Sequence, residues 1–397
     1  MQKVSKNNLT KTLMLFKQRP FLKAERLTGR SAFNVLFTLV ISVTIASCLP
    51  NDDNNSSTDF DRSELLNNYS DNIVMPAYEE YVASTNSLLT VINEFALSPS
   101  DNNKLLICIE QLKIVSLKWQ LASLFDFGPA SDYALLEFTN SYPTSTDDIE
   151  AAIGDESWIA GQASNIDNVG LPALDYLLNE DGALDKLNTN PARVEHLVRQ
   201  AEFLNEQAEL VLETWQSSYQ SYFVSMTGTE MGSSIGAMLN AFNRVFEANI
   251  RKQKLGLPSG VSTFSGNPLP SHVEAKYANY WSIDLLYEAL LSIEKVYMGN
   301  SLSSNSIVNK EVGFDDYLIS LGDEAFGLGL NNDIVAQIQS SKEAVLSLND
   351  PLSEFVITNQ ESCLSVYSEL QALVVLFKVD MMSSLGVLIT YQDNDGD

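Results

Sequence analysis

Gly170-Leu171-Pro172-Ala173-Leu174-Asp175-Tyr176-Leu177-Leu178 is the stretch around which the rest of the chain is organised. Gly170 is free to take a left-handed turn, Pro172 carries the fixed φ that suits a first helical turn, and the apolar residues beyond it make a short buried helix. Asp175 follows Pro172 by three residues and shares its face, in the turn where the helix dipole favours a carboxylate. The spacing predicts a glycine-led helix that presents one acid, with Tyr176 beside it, to whatever it packs against.

Helical periodicity continues in both directions. Upstream, Leu65, Tyr69, Ile73, Ala77, Tyr81, Leu88, Leu89, Ile92 and Phe95 form a core-facing stripe. Pro99-Ser100-Asp101 ends it and offers a cap to the next helix, about 102–125. Beyond the central stretch the pattern predicts helices over about 191–224, 234–255, 272–297, 333–348 and 352–388, with an irregular Gly- and Pro-rich loop from Gly256 to Pro270. Gly228 to Gly236 marks a change of domain. A weaker echo of the central stretch lies in the second half: Val169-Gly170-Leu171 leads to Asp175-Tyr176-Leu177, as Val312-Gly313-Phe314 leads to Asp316-Tyr317-Leu318, with gaps that differ by two residues. The expectation is an all-α chain of two helical bundles related by internal duplication, 62–228 and 229–397.

Residues 1–48 read as an export signal. Lys3, Lys6, Lys11, Lys17, Arg19, Lys23, Arg26 and Arg30 precede an apolar run from Ala32 to Ala46, and Met14 is an alternative start. The run is too short and too interrupted by Asn34, Thr38, Ser42 and Thr44 for a comfortable membrane span. It ends in Ile45-Ala46-Ser47-Cys48, which resembles a bacterial lipobox and implies cleavage before Cys48 and acylation of its sulfur. Residues 49–61, rich in Asn, Asp and Ser, read as a flexible tether. The chain's net charge of −27 becomes more negative still once the basic leader is removed. Such a surface repels nucleic acid and anionic headgroups and attracts cations or basic partners only diffusely.

Few residues carry the chemistry of a catalyst. No nucleophile elbow, phosphate loop, dinucleotide fingerprint or paired zinc motif is present. His196 and His272 are the only histidines, neither at ligand spacing with another His or Cys, and each reads as a capping or surface imidazole. Cys108 and Cys363 lie in apolar helices, as buried thiols or, after export, as a disulfide. Trp119, Trp158, Trp215 and Trp281 read as packing residues. Asp393, Asp395 and Asp397 around Gly396 resemble a fragment of a calcium loop without its distal Glu, either a solvated tail or a weak cation site. Asp175 with Asp315 or Asp316 is the better pair: duplicated halves facing one cleft would bring them together to share a proton or hold a cation, unless each caps its own helix.

The central stretch resembles the Gly-x-His-x-x-Glu signature of the imelysin-like proteins, with Pro172 in the place of His and Asp175 in the place of Glu. The likeness continues through Trp119 and Phe127-Gly128-Pro129 to Lys378-x-Asp380, Ser384-Leu385-Gly386-Val387 and the acidic end, covering nearly all of the chain after the leader. It implies two four-helix-bundle-like domains with a pocket between them, in an envelope protein linked either to metallopeptidase activity or to iron uptake. Proline offers no donor atom, so the substitution argues against catalysis. The reading is a lipid-anchored envelope protein that binds a ligand, a divalent cation or iron, or an iron-uptake or other envelope partner, around Gly170, Pro172, Asp175, Tyr176, Asp315 and Asp316. The alternative is a zinc-dependent metallopeptidase.

Overall fold

Short polar side chains set the helix starts. In the computed structural model, which describes residues 60–302, 312–322 and 324–391, Asp61 caps α1 (Arg62–Asn68) by accepting from the amides of Ser63 and Glu64. A π-helical turn, Tyr69–Val74, carries the chain on into α2 (Met75–Ala96). Asp101 caps α3 (Asn102–Ala122) in the manner expected, through the amides of Asn103 and Lys104. Three short helices follow, α4 (Pro129–Asp132), α5 (Leu135–Asn140) and α6 (Thr146–Ala152), and then the central helix α7 (Gly170–Asn179). After α8 (Ala183–Thr189), Asn190 caps α9 (Pro191–Thr214), which continues through a π turn, Trp215–Tyr219, into α10 (Gln220–Ser225). A loop leads to α11 (Ser234–Arg244) and to a π-helical stretch, Val245–Gly256. The remaining helices are α12 (Ser282–Tyr297), α13 (Phe314–Ile319), α14 (Glu324–Val345), α15 (Leu352–Thr358), α16 (Gln360–Val374) and, beyond a π turn at Val375–Met381, α17 (Met382–Ser384). No strand occurs among the described residues.

The described residues fall within one compact unit; a large hydrophobic core runs through them from Leu65 to Val387, with a small second cluster at Ala152, Trp158, Val169 and Phe203. Helix α2 packs on α3 and α9, with α7 laid against α3 and α9. In the later part of the chain α14 packs on α12, α13 and α16, and α16 on the Val245–Gly256 stretch. The two sets meet where α3 packs on α12. All four tryptophans are buried, as are Cys108 and Cys363, which are free thiols. Burial pushes the two thiols up, to about 12 and about 11, so both stay protonated. Residues 1–48, expected to be an export signal ending at Cys48, nearly all of the expected tether and the acidic end around Asp393 lie outside the described residues.

Three helix boundaries depart from the sequence expectation. The last helical segment breaks at Asn359, and α14 begins at Glu324 and runs through Gly327 and Gly329. The third departure matters most: the helix expected from His272 begins only at Ser282. Between them, Ala275 (φ 53°) and Asn279 (φ 70°) take left-handed conformations that no α-helix contains. Glu274, Ala275 and Lys276 have good helix propensity, yet the amides of Tyr277 and Ala278 bond to a distant side chain instead of to the turn before them.

At the start of α7, Gly170 has φ 78°, and a Cβ there would lie 2.3 Å from the carbonyl oxygen of Thr139 and 2.5 Å from that of Phe138. Both the conformation and the contact demand glycine. Gly170→Ala is therefore expected to lower the unfolding free energy by 2 kcal/mol or more, on the order of a backbone strain plus an overpacking cost. Urea denaturation checks this, and a change within about 0.5 kcal/mol, the range of a neutral surface substitution, would contradict it.

Candidate functional site

Every residue from Gly170 to Leu178 is buried, so the acid in this stretch must find its hydrogen bonds inside the protein. Asp175 finds three. One carboxylate oxygen accepts from the amide of Tyr277 at 2.9 Å; the other accepts from the amide of Ala278 at 2.9 Å and from the side chain of Asn179 at 3.1 Å. The side chain thus ties α7 to the loop before α12.

The same loop is pinned a second time through Glu274, itself buried. Its carboxylate pairs with the Lys254 ammonium and accepts from Asn140 Nδ2 at 2.7 Å, while its carbonyl accepts from Ser282 Oγ at 2.6 Å. Lys254 projects inward from the π-helical stretch, and both partners of the pair are buried. Breaking such a pair from one side leaves an uncompensated charge, so this anchor is strong against single substitutions. Held at both points, the loop keeps its strained residues, Ala275 and Asn279, in place.

A cleft of about 210 Å³ opens beside these anchors. Pro172 and Asp175 form part of one wall, Tyr142 and Thr146 another, and Lys276 and Tyr277 the loop side. Burial pushes Asp175 up to about 7, the Glu274 charge adds to the rise, and the Tyr277 and Ala278 amides and Asn179 oppose it. Burial also holds Tyr142 well above the ordinary phenol range, with the Glu274 charge acting in the same direction, so its hydroxyl stays protonated.

The other expected site residues have other surroundings. Tyr176 packs its ring edge-on against Tyr277 at 5.0 Å and donates its hydroxyl to Glu150 at 2.6 Å, behind the cleft wall. There Arg193, buried, bonds Glu150 at 2.7 Å and pairs with Glu180. Asp315 and Asp316 lie in the first turn of α13; Asp316 accepts from the amide of Gly313 at 3.0 Å, and the nearby phenols are Tyr69 and Tyr297. Neither acid is among the groups bonded to Asp175. His196 is buried rather than a surface or capping group: its ring lies 4.7 Å from Trp158, and burial pushes its pKa down to about 4, helped by Arg199 and Arg193. His272 is half-buried beside Ser271, which lines the cleft.

The residues that complete the site, Glu274, Lys276, Tyr277, Lys254 and Asn140, carry no motif, and their helix-forming composition hid the loop. The only cue was the run of Gly and Pro that precedes them.

A metal of the kind the signature implies does not fit these residues. Pro172 has no donor atom, and both oxygens of Asp175 are occupied by N–H groups. Among the described residues no three His, Cys, Asp or Glu side chains are grouped to hold an ion.

The fold and the site together define an all-helical protein in which a buried, glycine-led helix borders a cleft. The imelysin (peptidase M75) family model matches residues 74–377, most of the chain, so the chain belongs to the imelysin family. Lys378, Asp380 and the Ser384–Val387 segment lie past the matched stretch. Among solved structures, a candidate iron-regulated protein A precursor from Parabacteroides distasonis ATCC 8503 is similar at 18% identity and a TM-score of 0.61, covering 80% of this chain and 95% of that one. An imelysin-like protein from Psychrobacter arcticum 273-4 is similar at 16% identity and a TM-score of 0.63, covering 84% of this chain and 99% of that one. Both likenesses bear on the fold. No curated protein matches the chain.

Two pH dependences follow with opposite signs. Asp175 is raised from an unfolded value of 3.8 to about 7, so the folded state loses stability as pH rises from about 4 to about 7. Measured against Asp175→Asn, the native chain should lose on the order of 3 kcal/mol of unfolding free energy over that interval. A pH-independent difference in chemical denaturation would contradict this. His196 is lowered from 6.5 to about 4, so its contribution is complete above 6.5 and is lost as pH falls through that window. A His196→Gln variant should show a shallower acid limb between about 6.5 and 4 than the native chain, and an unchanged limb would count against a neutral buried imidazole.

Proposed function

We propose that this imelysin-family protein is a non-catalytic binding protein of the bacterial envelope, held to a membrane by acylation of Cys48, with the cleft beside Pro172 and Asp175 as its ligand site. The observation that carries the non-catalytic reading is the commitment of both Asp175 oxygens to loop amides, next to a proline in the histidine position of the signature. A hydrolytic zinc needs several protein donors and an open coordination position, and neither side chain supplies a free one. A role in iron acquisition draws support from the name of the Parabacteroides distasonis relative, an iron-regulated protein A precursor. The membrane tie rests on the basic leader, the apolar run and the Ile45-Ala46-Ser47-Cys48 sequence.

Two measurements test this reading. The purified full chain, stripped by a chelator and then supplied with zinc, is expected to leave a denatured protein substrate intact over hours. Cleavage that zinc restores after chelation would reverse the assignment in favour of a metallopeptidase. Cys48→Ser is expected to move the protein from the membrane fraction to the soluble fraction of its native host, and retention in the membrane fraction would contradict the lipid anchor.

A further inference from the structure

We propose that the cleft takes a small oxyanion, a compact molecule bearing a carboxylate or phosphate group, with the Lys276 ammonium as its charge partner and the Tyr142, Thr146 and Ser271 hydroxyls as its hydrogen-bond donors. This rests on the reading of the cleft as the ligand site and goes on to name what the site selects.

Charge balance around the cleft supports the choice. The chain carries 51 Asp and Glu against 24 Lys and Arg, so a lysine here has an abundance of carboxylates to pair with. Lys276, which lines the cleft, pairs with no carboxylate among the described residues; its ammonium lies over the face of the Tyr277 ring, 5.0 Å from nitrogen to centroid. A cation over a ring at a partly exposed site gains only about 0.5–1 kcal/mol and leaves the ammonium's hydrogen-bonding directions open. Asp175, which lines the cleft, and Glu274, in the loop beside Lys276, present little negative charge to a ligand. Asp175 is wrapped by three N–H groups, and Glu274 is neutralised by Lys254. The walls offer hydroxyls that can donate: among the described residues those of Tyr142 and Thr146 have no acceptor, and that of Ser271 contacts the imidazole of His272.

Backbone strain points the same way. Ala275, immediately before Lys276, holds φ 53°, a conformation unfavourable for a residue with a Cβ, and the anchors at Glu274 and Asp175 keep it there. The loop that carries the lysine is therefore fixed before any ligand arrives, which lowers the ordering cost of binding. A cavity of about 210 Å³ suits a molecule of modest size, below the range typical of drug-like ligands.

The test is calorimetric titration of the purified full chain with sodium succinate, with inorganic phosphate and with glucose as a neutral probe. One of the two oxyanions should bind at a single saturable site that weakens with added salt, and the titration shows whether the site prefers carboxylate or phosphate. Lys276→Gln should weaken that binding at least tenfold with no change in the unfolding midpoint, and Lys276→Arg should retain most of it. No saturable oxyanion binding, or an affinity unchanged in Lys276→Gln, overturns the proposal. Glucose binding that a cleft-filling Thr146→Trp abolishes, without oxyanion binding, overturns the anion assignment while leaving the cleft itself as the ligand site.

Discussion

The carboxylate of Asp175 joins two parts of the chain 102 and 103 residues apart, and the shape of the site depends on that bond. A buried carboxylate is costly unless its lone pairs are satisfied, and an irregular buried loop is costly unless its amides are. Each supplies what the other lacks. The Glu274–Lys254 pair does the same a few residues upstream, so the loop enters α12 along one fixed path with two left-handed residues in it. Gly170 is the counterpart on the other side: only a glycine lets α7 start against the carbonyls of Phe138 and Thr139, which in turn sets where Asp175 points.

This arrangement changes the meaning of the family signature. In a His-and-Glu pair three residues apart, both side chains look into one space and can hold an ion together. Here Pro172 and Asp175 stand three residues apart on α7, and both border the cleft. Proline offers no donor atom to an ion. The oxygens of Asp175 are directed at N–H groups of the loop and of Asn179. The cleft beside it is lined by hydroxyls and a lysine.

Much of the helical framework was legible in the sequence. The stripe from Leu65 to Phe95 is buried, with Leu89 partly so, and Asp101 caps α3 as its position after Pro99 suggests. Gly170 and the buried run after it could be read because φ preference and hydrophobic pattern are local properties. The partners of Asp175 could not, because nothing in Lys276-Tyr277-Ala278 records that its amides will bond to a side chain a hundred residues earlier. The helix expected from His272 failed for that reason: local propensity favoured a helix, and two tertiary anchors overrode it. His196 was hidden in another way, since an amphipathic helix does not show which of its polar residues will face Trp158 in the interior. The four π-helical stretches among the described residues likewise left no trace in the pattern; that at Val245–Gly256 turns Lys254 inward to meet Glu274.

The central claim is that the Asp175 carboxylate is occupied by the loop amides. Site-resolved hydrogen exchange at Tyr277 and Ala278 measures it directly, because these two amides bond to Asp175 rather than to a backbone carbonyl and their protection depends on that acceptor. The account predicts protection comparable to that of amides inside α12, falling by at least a hundredfold in Asp175→Ala while the amides of α2 and α9 keep theirs. Exchange of the two amides at the rate of an exposed loop in the native chain would contradict it, leaving the carboxylate free for other chemistry.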